Sequence, residues 1–377
     1  MTKIFQSAIF GLALCGCAHL NAESISATDG IDLQIAEVVW RAALIDVDVF
    51  SHRTQHRSAP AISQDGNLLL VGTSQGKFVC LDNRTGAVRW SFRTESPSDL
   101  EILIVGKTAF LAGGDGAVYS LSVDDGKLIW KNSLAKIISV APVLYNDKLY
   151  LQTDDDEVIC LQASDGRWLW RYKHPITAGD RFKVIGGSRP VVTEKAIYAS
   201  FSDGVLVKLS PTGSVLTSRA LREDKDKFWD ADVDPILADK MLLAGSFHGG
   251  IFALNPEDLS IIWNTKLEGP SDLWLSKDRL FVTTSDSEVA ALSLADGKLL
   301  WKSKIENAGL LSAPVNYRSW LFICSEELSF IVVDAMNGKL RQTFNPGKGC
   351  SARPSIHEKS LWWISNGETA YFMKIND

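Results

Sequence analysis

The sequence predicts an all-β protein, an eight-bladed β-propeller of four-stranded antiparallel blades, and two observations support this prediction. A turn followed by two apolar residues and, in most copies, a tryptophan recurs along the 377-residue chain. Most copies follow each other at intervals of roughly 40 residues, which is typical of repeat architectures. One copy ends at each of eight positions, one for every predicted blade: Trp40, Trp90, Trp130, Trp170, Thr217, Trp263, Trp301 and Gln342.

The first complete repeat shows the four strands of one blade. Short apolar segments at 59–62, 68–71, 78–81 and 88–92 alternate with turn residues. Strands of this length with regular turn signals indicate antiparallel four-stranded units. The turn between the second and third strands favours a left-handed backbone, which glycine adopts freely and aspartate tolerates. Aligned repeats place Gly76, Gly116, Asp156, Gly204 and Gly249 at this turn.

The two ends of the chain are expected to share the eighth blade. Segments 351–356, 361–365 and 370–375 form three strands, after which the sequence has no fourth. Segment 38–42 has the pattern of a fourth strand but no blade of its own. Joining these segments completes the last blade and removes two exposed sheet edges, so the N-terminal strand is predicted to close the ring.

The first residues have the pattern of a targeting segment. Lys3 precedes an apolar run at 4–15 that is too short to span a bilayer as a helix. Leu14-Cys15-Gly16-Cys17 resembles the lipobox of bacterial lipoproteins, which implies cleavage before Cys17 and acylation of that cysteine. The alternative is an ordinary secretory signal that is cleaved near Ala22.

These patterns predict three parts of the chain. Residues 1–16 are the lipoprotein signal peptide, residues 17–36 a flexible polar tether, and residues 37–377 the eight-bladed propeller. Acyl chains on one cysteine would hold the protein to a membrane surface without a spanning helix.

Four further cysteines are expected to be buried free thiols. Cys80 and Cys160 occupy the same place in repeats that are two apart, which should separate them. A disulfide framework that also includes Cys324 and Cys350 is therefore not expected, even in an oxidising compartment. Buried thiols act as small apolar side chains.

Composition and motifs argue against nucleic-acid binding and give little support to catalysis. The net charge is −6, and Lys and Arg are scattered. His52 and His56 could bind a metal, although such a pair lies more often on a solvated loop. The acidic run 154–157 reads as a solvated hairpin tip, because it lacks the spacing of a calcium-binding loop. No Gly-x-Ser-x-Gly nucleophile motif is present.

The repeat ending resembles the tryptophan-docking motif of quinoprotein-like propellers. The resemblance covers residues 38–377 and implies that each indole packs against the glycine-bearing turn of the next blade. Thr217 and Gln342 depart from the motif, so weaker contacts between blades are expected there. Dehydrogenases with these repeats use pyrroloquinoline quinone and calcium. This chain lacks their adjacent cysteine pair and a recognisable set of calcium ligands, so no cofactor is expected.

Two segments resemble the BamB-type lipoproteins of the outer-membrane β-barrel assembly machinery. Residues 228–235 include Asp-Val-Asp, and residues 186–190 open the fourth repeat. The family places a leucine and an arginine before the first glycine of that second segment, where this chain has Val184 and Ile185. The resemblance implies a non-enzymatic scaffold on the periplasmic side of the outer membrane. It would bind the periplasmic domains of the barrel-forming, BamA-like partner.

The spacing of the repeats indicates a partner surface in the same region. After Trp90, the two longest intervals place additional residues at 171–187 and 221–229, in connections from a fourth strand to the next first strand. Antiparallel blades put these connections on one face, and loops on a rigid scaffold often bind partners. Asp234 could instead cap the turn into its strand. The other function class is a periplasmic propeller enzyme or ligand binder that uses the central channel. The candidate partner-binding residues are Val184, Ile185, Trp229, Asp232 and Asp234.

Overall fold

The computed structural model describes residues 34–45, 55–96, 100–175, 187–221, 231 and 233–376. In this part of the chain, thirty-two β-strands form eight four-stranded antiparallel sheets. No helix that could cross a membrane is found among these residues. The predicted eight-bladed propeller is confirmed.

Each blade buries its two middle strands and leaves its fourth strand at the rim. In the first blade, β3 (Leu68–Gly72) and β4 (Lys77–Asp82) are buried almost throughout, whereas β5 (Val88–Arg93) is largely exposed. The middle strands are apolar on both faces because neighbouring blades cover both faces. Blades 1 to 4 consist of β2 (Ala61–Ile62) with β3 to β5; β6 (Leu103–Val105), β7 (Thr108–Ala112), β8 (Ala117–Ser122) and β9 (Leu128–Ser133); β10 (Val143–Tyr145), β11 (Lys148–Gln152), β12 (Glu157–Gln162) and β13 (Trp168–Lys173); β14 (Val191–Val192), β15 (Ile197–Ser200), β16 (Val205–Leu209) and β17 (Val215–Ala220).

The second half of the ring repeats this arrangement, and its last blade combines both ends of the chain. Blades 5 to 7 consist of β18 (Ile236–Ala238), β19 (Met241–Ser246), β20 (Gly250–Leu254) and β21 (Ile261–Thr265); β22 (Pro270–Ser276), β23 (Arg279–Thr284), β24 (Glu288–Ser293) and β25 (Leu299–Lys304); β26 (Val315–Tyr317), β27 (Trp320–Ser325), β28 (Ser329–Asp334) and β29 (Leu340–Phe344). Blade 8 consists of β30 (Ser355–His357), β31 (Ser360–Ile364), β32 (Thr369–Ile375) and β1 (Ala36–Ala43).

The N-terminal strand closes the ring as predicted. β1 pairs antiparallel with β32 from Ala36 opposite Ile375 to Ala43 opposite Thr369. This pairing satisfies the hydrogen-bonding edge that β32 would otherwise expose.

A tryptophan of one blade packs onto a turn glycine of the next blade. The indole Nε1 of Trp90 donates a hydrogen bond of 2.9 Å to the Val123 carbonyl oxygen. A Cβ atom added to Gly126 would lie 2.5 Å from the Trp90 ring, so the close approach requires glycine. The same pair recurs at Trp40 with Gly86, Trp130 with Gly166, Trp170 with Gly213, Trp263 with Gly297 and Trp301 with Gly338.

Other contacts replace the indole at the two positions that depart from the motif. At the Thr217 interface, the Tyr198 hydroxyl donates a hydrogen bond of 2.8 Å to the Pro256 carbonyl oxygen. Pro256 precedes Leu259 by three residues, and Leu259 occupies the place of the turn glycine with a φ of 59°. The Tyr198 hydroxyl therefore bonds the acceptor that an indole uses elsewhere in the ring.

Gln342 lies at the seam, where blade 8 has no turn between its third and fourth strands. Its Oε1 accepts hydrogen bonds from the backbone nitrogens of Ile35 and Ala36 at 2.8 and 3.0 Å. Its Nε2 donates to the Ala36 carbonyl oxygen at 2.8 Å. The side-chain amide thus binds the start of β1 to blade 7, and its departure from tryptophan follows from ring closure.

The expectation of four free thiols is confirmed for two of the cysteines and wrong for the other two. Cys80 and Cys160 are buried and free, but Cys324 and Cys350 form a disulfide with a Cα–Cα distance of 5.1 Å. Cys350 lies in the connection from blade 7 to blade 8, which returns over β27. This fold-back brings the two cysteines together, and repeat spacing alone does not reveal it.

The acidic run in the third repeat is not a solvated hairpin tip. Asp156 and Glu157 are both buried, with 2% of their surface exposed. Asp156 accepts a hydrogen bond of 2.7 Å from the Ser202 hydroxyl of the next blade. Glu157 pairs with Lys173 at 3.2 Å and with Lys136 at 3.4 Å. The run is therefore a contact between and within blades.

Two smaller expectations also change. The left-handed residue of the fifth-repeat turn is Gly250, with a φ of 82°, one position after Gly249. The other aligned turn residues, Asp156 among them, do have positive φ angles.

His56 is fully buried, and its Nε2 lies 2.7 Å from the Gly72 carbonyl oxygen, so it does not belong to a solvated loop. His52 lies outside the described residues.

Candidate functional site

One face of the ring carries all connections from a fourth strand to the next first strand. The antiparallel order of each blade places the turns between second and third strands on the same face. We call it the connection face. The turns that dock the tryptophans lie on the opposite face, so structural contacts and long connections occupy different sides of the molecule.

The described residues that flank the two long connections are well packed on this face. Before the first, His174 is buried, with its Nε2 2.9 Å from Asp203 Oδ2 and its ring stacked on Phe201 at 4.3 Å. Before the second, Leu221 is fully buried, and Ala231 beyond it is 1% exposed. Rigid bases of this kind suit loops that bind partners.

Eight equivalent residues surround the channel where the first strands begin. In blade 1, Ala59 lies two positions before Ala61, which pairs with Leu70, the third residue of β3. The same rule locates the residue in the other blades, except that in blade 4 Arg189 precedes Val191 opposite Tyr198, the second residue of the shorter β15. Seven of the eight line two central cavities, and the eighth, Ala141, is buried. We call this set the channel ring: Ala59, Glu101, Ala141, Arg189, Asp234, Asp272, Ala313 and Arg353.

Arginine–carboxylate pairs join four residues of the channel ring. Arg189 Nε donates to Asp234 Oδ2 at 2.6 Å, and Arg189 Nη1 donates to Glu101 Oε2 at 2.9 Å. Arg353 Nη2 donates to Glu101 Oε1 at 2.6 Å. Ion pairs with this geometry and partial burial are stronger than ordinary surface pairs. Burial opposes the charge of Arg189, yet Asp234 and Glu101 raise its pKa above the ordinary value.

Asp272 is the fifth charged residue of the channel ring. Its carboxyl group has no hydrogen bond or ion pair within the part of the chain that the structure describes, although the residue lines both cavities. Burial raises the pKa of Asp272 to about 7, and the negative charge of Asp234 adds to this effect. Arg189 and Arg353 oppose it. The carboxyl group therefore gains and loses its proton close to neutral pH.

The two cavities meet at the channel ring. One has a volume of about 560 Å³ and includes Gln55 and Glu326, which belong to a connection and a turn of the connection face. The other has a volume of about 400 Å³ and is lined by first-strand residues such as Val143 and Ile236. The first cavity thus extends from the connection face to the charged residues, which it shares with the second cavity.

The residues of the channel ring do not fit a calcium-held quinone. Calcium takes six to eight oxygen ligands. The carboxylates of Glu101 and Asp234 already accept hydrogen bonds from guanidinium groups, which leaves Asp272 as the unpaired carboxyl group of the ring. Among the described residues, no group of three or more His, Cys, Asp or Glu side chains could hold a metal ion.

Four of the five predicted partner-binding residues, and the predicted lipid anchor Cys17, lie outside the described residues. The fifth, Asp234, does not cap a turn. Its Oδ1 accepts a hydrogen bond from the Arg189 backbone nitrogen, and its Oδ2 accepts from Arg189 Nε, both at 2.6 Å. Asp234 therefore joins the entries of blades 4 and 5. The four outside are Val184, Ile185, Trp229 and Asp232.

Sequence reasoning missed the rest of the channel ring, although a signal was present. Alanine precedes proline where blades 1, 3 and 7 begin, as in Ala313-Pro314. Arg189, Asp234 and Arg353 stand before proline at the equivalent positions of other blades. A charged residue before this proline, at a position where other repeats have alanine, indicates a side chain that faces the channel.

Solved structures show the class of fold to which this chain belongs. BamB from Moraxella catarrhalis superimposes with a TM-score of 0.77 at 16% identity, over 90% of this chain and all of that chain. Quinohemoprotein alcohol dehydrogenase from Comamonas testosteroni superimposes with a TM-score of 0.70 at 11% identity, over 90% and 76% of the two chains. The protein is a closed propeller of the kind that both proteins share.

Sequence comparison identifies the family. The family model described as outer membrane protein assembly factor BamB matches residues 29–126 and 100–303. BamB of Yersinia pestis is 22% identical over 385 residues, 95% of each chain. BamB of Salmonella typhimurium is 22% identical over 337 residues, 73% of this chain and 84% of that protein. This chain belongs to the BamB family.

Proposed function

We propose that this protein is a non-enzymatic scaffold that aids the assembly of β-barrel proteins into the outer membrane. Membership of the BamB family across residues 29–303 carries this proposal, because its relatives are named outer membrane protein assembly factors. The partner would be the barrel-forming component of that machinery, bound through its BamA-like periplasmic domains.

The site of action in this proposal is the periplasmic side of the outer membrane. The lipobox-like motif that ends at Cys17 would provide the anchor. The tether would be the polar segment between Cys17 and the residues bound to blade 7, which begin at Ile35. The disulfide between Cys324 and Cys350 supports a location outside the cytoplasm, because disulfides persist in oxidising compartments.

The partner surface in this proposal is the connection face. Trp229 is the candidate anchor, since aromatic residues dominate interface energies. Val184 and Ile185 would add apolar area, and Asp232 would pair with a basic group. Because the carboxylate of Asp234 is occupied by Arg189, its part in the proposal is to hold the bases of both long connections in place.

A non-enzymatic role agrees with the chemistry of the channel ring. Four of its charged side chains bond to one another, and none is a nucleophile with an adjacent base. Such pairs fix the geometry of the channel mouth, which a binding surface requires.

Replacing the predicted anchor tests this function. Trp229→Ala with Asp232→Ala should reduce the affinity for purified periplasmic domains of the barrel-forming protein by about 2 kcal/mol or more, because a central aromatic anchor is lost. Titration calorimetry measures the affinity, and thermal melting checks that the variant is folded.

A matched variant on the opposite side of the ring provides the control. Trp168 is 42% exposed at the start of β13, and Asp278 is exposed in a turn of blade 6. Trp168→Ala with Asp278→Ala removes the same side-chain types and should bind normally. Equal binding by both double variants and the wild type would place the interface elsewhere.

A further inference from the structure

The central cavity contains one carboxyl group, that of Asp272, for which the described part of the chain supplies no partner. Glu101 is paired with Arg189 and Arg353, and Asp234 with Arg189, whereas the carboxyl group of Asp272 has no hydrogen bond or ion pair to any described residue. Asp272 is half-buried in the cavity wall. A carboxylate withdrawn from water without a partner is costly, so such charges are normally paired. Asp272 is therefore the position at which the channel ring is incomplete.

The charges around Asp272 determine what could complete it. Glu101, Asp234 and an ionised Asp272 give three negative charges, against two positive charges on Arg189 and Arg353. The channel ring then carries one excess negative charge. Farther out, Arg57 and Glu326 line the cavity wall and contribute one charge of each sign. One cationic group would balance the site.

The shape of the site indicates how that group arrives. The cavity of about 560 Å³ lies within the range of ligand pockets and reaches the connection face. A lysine or arginine side chain has an apolar stem that can follow the wall while its charged end reaches the carboxyl group.

From these observations we infer that the channel mouth receives one basic side chain of the protein bound on the connection face, and that this side chain pairs with Asp272. The inference rests on the proposed function and adds a specific contact to it. The inference requires that the partner has one protruding lysine or arginine at the centre of the surface that contacts the connection face.

The pairing makes binding depend on pH in a defined direction. The basic side chain binds ionised Asp272, whose pKa in the free protein is about 7 because of burial, and whose charged neighbours are Asp234, Arg189 and Arg353. At pH 6 most molecules must lose a proton before they bind, whereas at pH 8 most are already ionised. The affinity should therefore rise by about tenfold from pH 6 to pH 8.

Titration calorimetry with the purified periplasmic domains of the barrel-forming protein tests the inference. The wild type should show the rise, and Asp272→Asn should bind with nearly the same affinity at both pH values. Asp272→Glu keeps the carboxylate and should retain the rise. Asp278→Asn removes an equal charge from the same blade on the opposite face and should behave as the wild type.

The outcomes separate this inference from the function on which it rests. Wild-type binding that does not change with pH, or a rise that persists in folded Asp272→Asn, would overturn the inference alone. Failure of the wild type to bind at either pH would overturn the proposed function together with the inference. Loss of the rise in Asp272→Asn with its retention in Asp272→Glu would support it.

Discussion

The contact between tryptophan and glycine holds neighbouring blades together at the scale of single residues. An indole buries roughly 150–250 Å² and needs a polar partner for its N–H group. Trp90 obtains both from the turn of the next blade, through Gly126 and the Val123 carbonyl oxygen. At the Thr217 interface, the Tyr198 hydroxyl donates to the equivalent carbonyl oxygen. The hydrogen bond between the blades is therefore kept, although a phenol hydroxyl replaces the indole as its donor.

Two glycines with the same φ angle allow the cost of close packing to be measured separately from the cost of the left-handed backbone. Gly126 and Gly66 both have a φ of 71°, but an added Cβ meets Trp90 at 2.5 Å at Gly126 and no atom within 4 Å at Gly66. Gly66→Ala should lower the free energy of unfolding by about 1–2 kcal/mol, through left-handed strain alone. Gly126→Ala should cost about 1–3 kcal/mol more, because the added methyl group overpacks the contact. Denaturant unfolding measures both; equal losses would argue against a tight indole contact.

The seam of the ring is the decisive feature at the scale of elements. β1 forms the fourth strand of blade 8 and is bonded through Gln342 to blade 7. The strand therefore covers the edge of β32 and joins two blades. Without this strand, the edge of β32 would be exposed and the contact between blades 7 and 8 through Gln342 would be lost.

Removal of β1 should open the ring. Deletion of residues 1–43 exposes the edge of β32, so we expect a marked fall in the melting temperature or aggregation. Deletion of residues 1–33 ends before β1 and serves as the control, which should melt like the mature protein. Scanning calorimetry of both forms, each behind the same exchanged secretory signal, makes the comparison. An unchanged cooperative transition in the longer deletion would mean that the ring closes in another way.

At the scale of the whole molecule, the ring has two different faces. Docking turns lie on one face, and the long connections lie on the other, which the cavity of about 560 Å³ reaches. As a fourth strand, β1 begins on the docking face and ends on the connection face.

Acylation of Cys17 should attach this molecule to a membrane. Intact mass of the mature protein is expected to show loss of residues 1–16 and the addition of acyl chains, because the motif before Cys17 resembles a lipobox. More than one chain is required for stable anchoring. Cys17→Ser should be recovered in the soluble fraction. A wild-type N-terminus near Ala22 without lipid would instead indicate an ordinary secretory signal.

The sequence by itself determined the architecture of this protein. The spacing of the tryptophan-ending motif predicted eight blades, and the unmatched segments at the two ends predicted the closing strand; both are confirmed. Turn chemistry and strand patterning act over a few residues and repeat along the chain, so they can be read locally. The buried thiols of Cys80 and Cys160 followed from the same repeat alignment.

Only the tertiary structure decided which distant side chains meet. The disulfide between Cys324 and Cys350 depends on how one connection folds back over its blade. The channel ring joins residues of blades 2, 4, 5 and 8, with Asp272 of blade 6 beside them, because ring closure brings all first strands to one axis. The pKa of Asp272 depends on burial and on neighbours from other blades, which no local pattern contains.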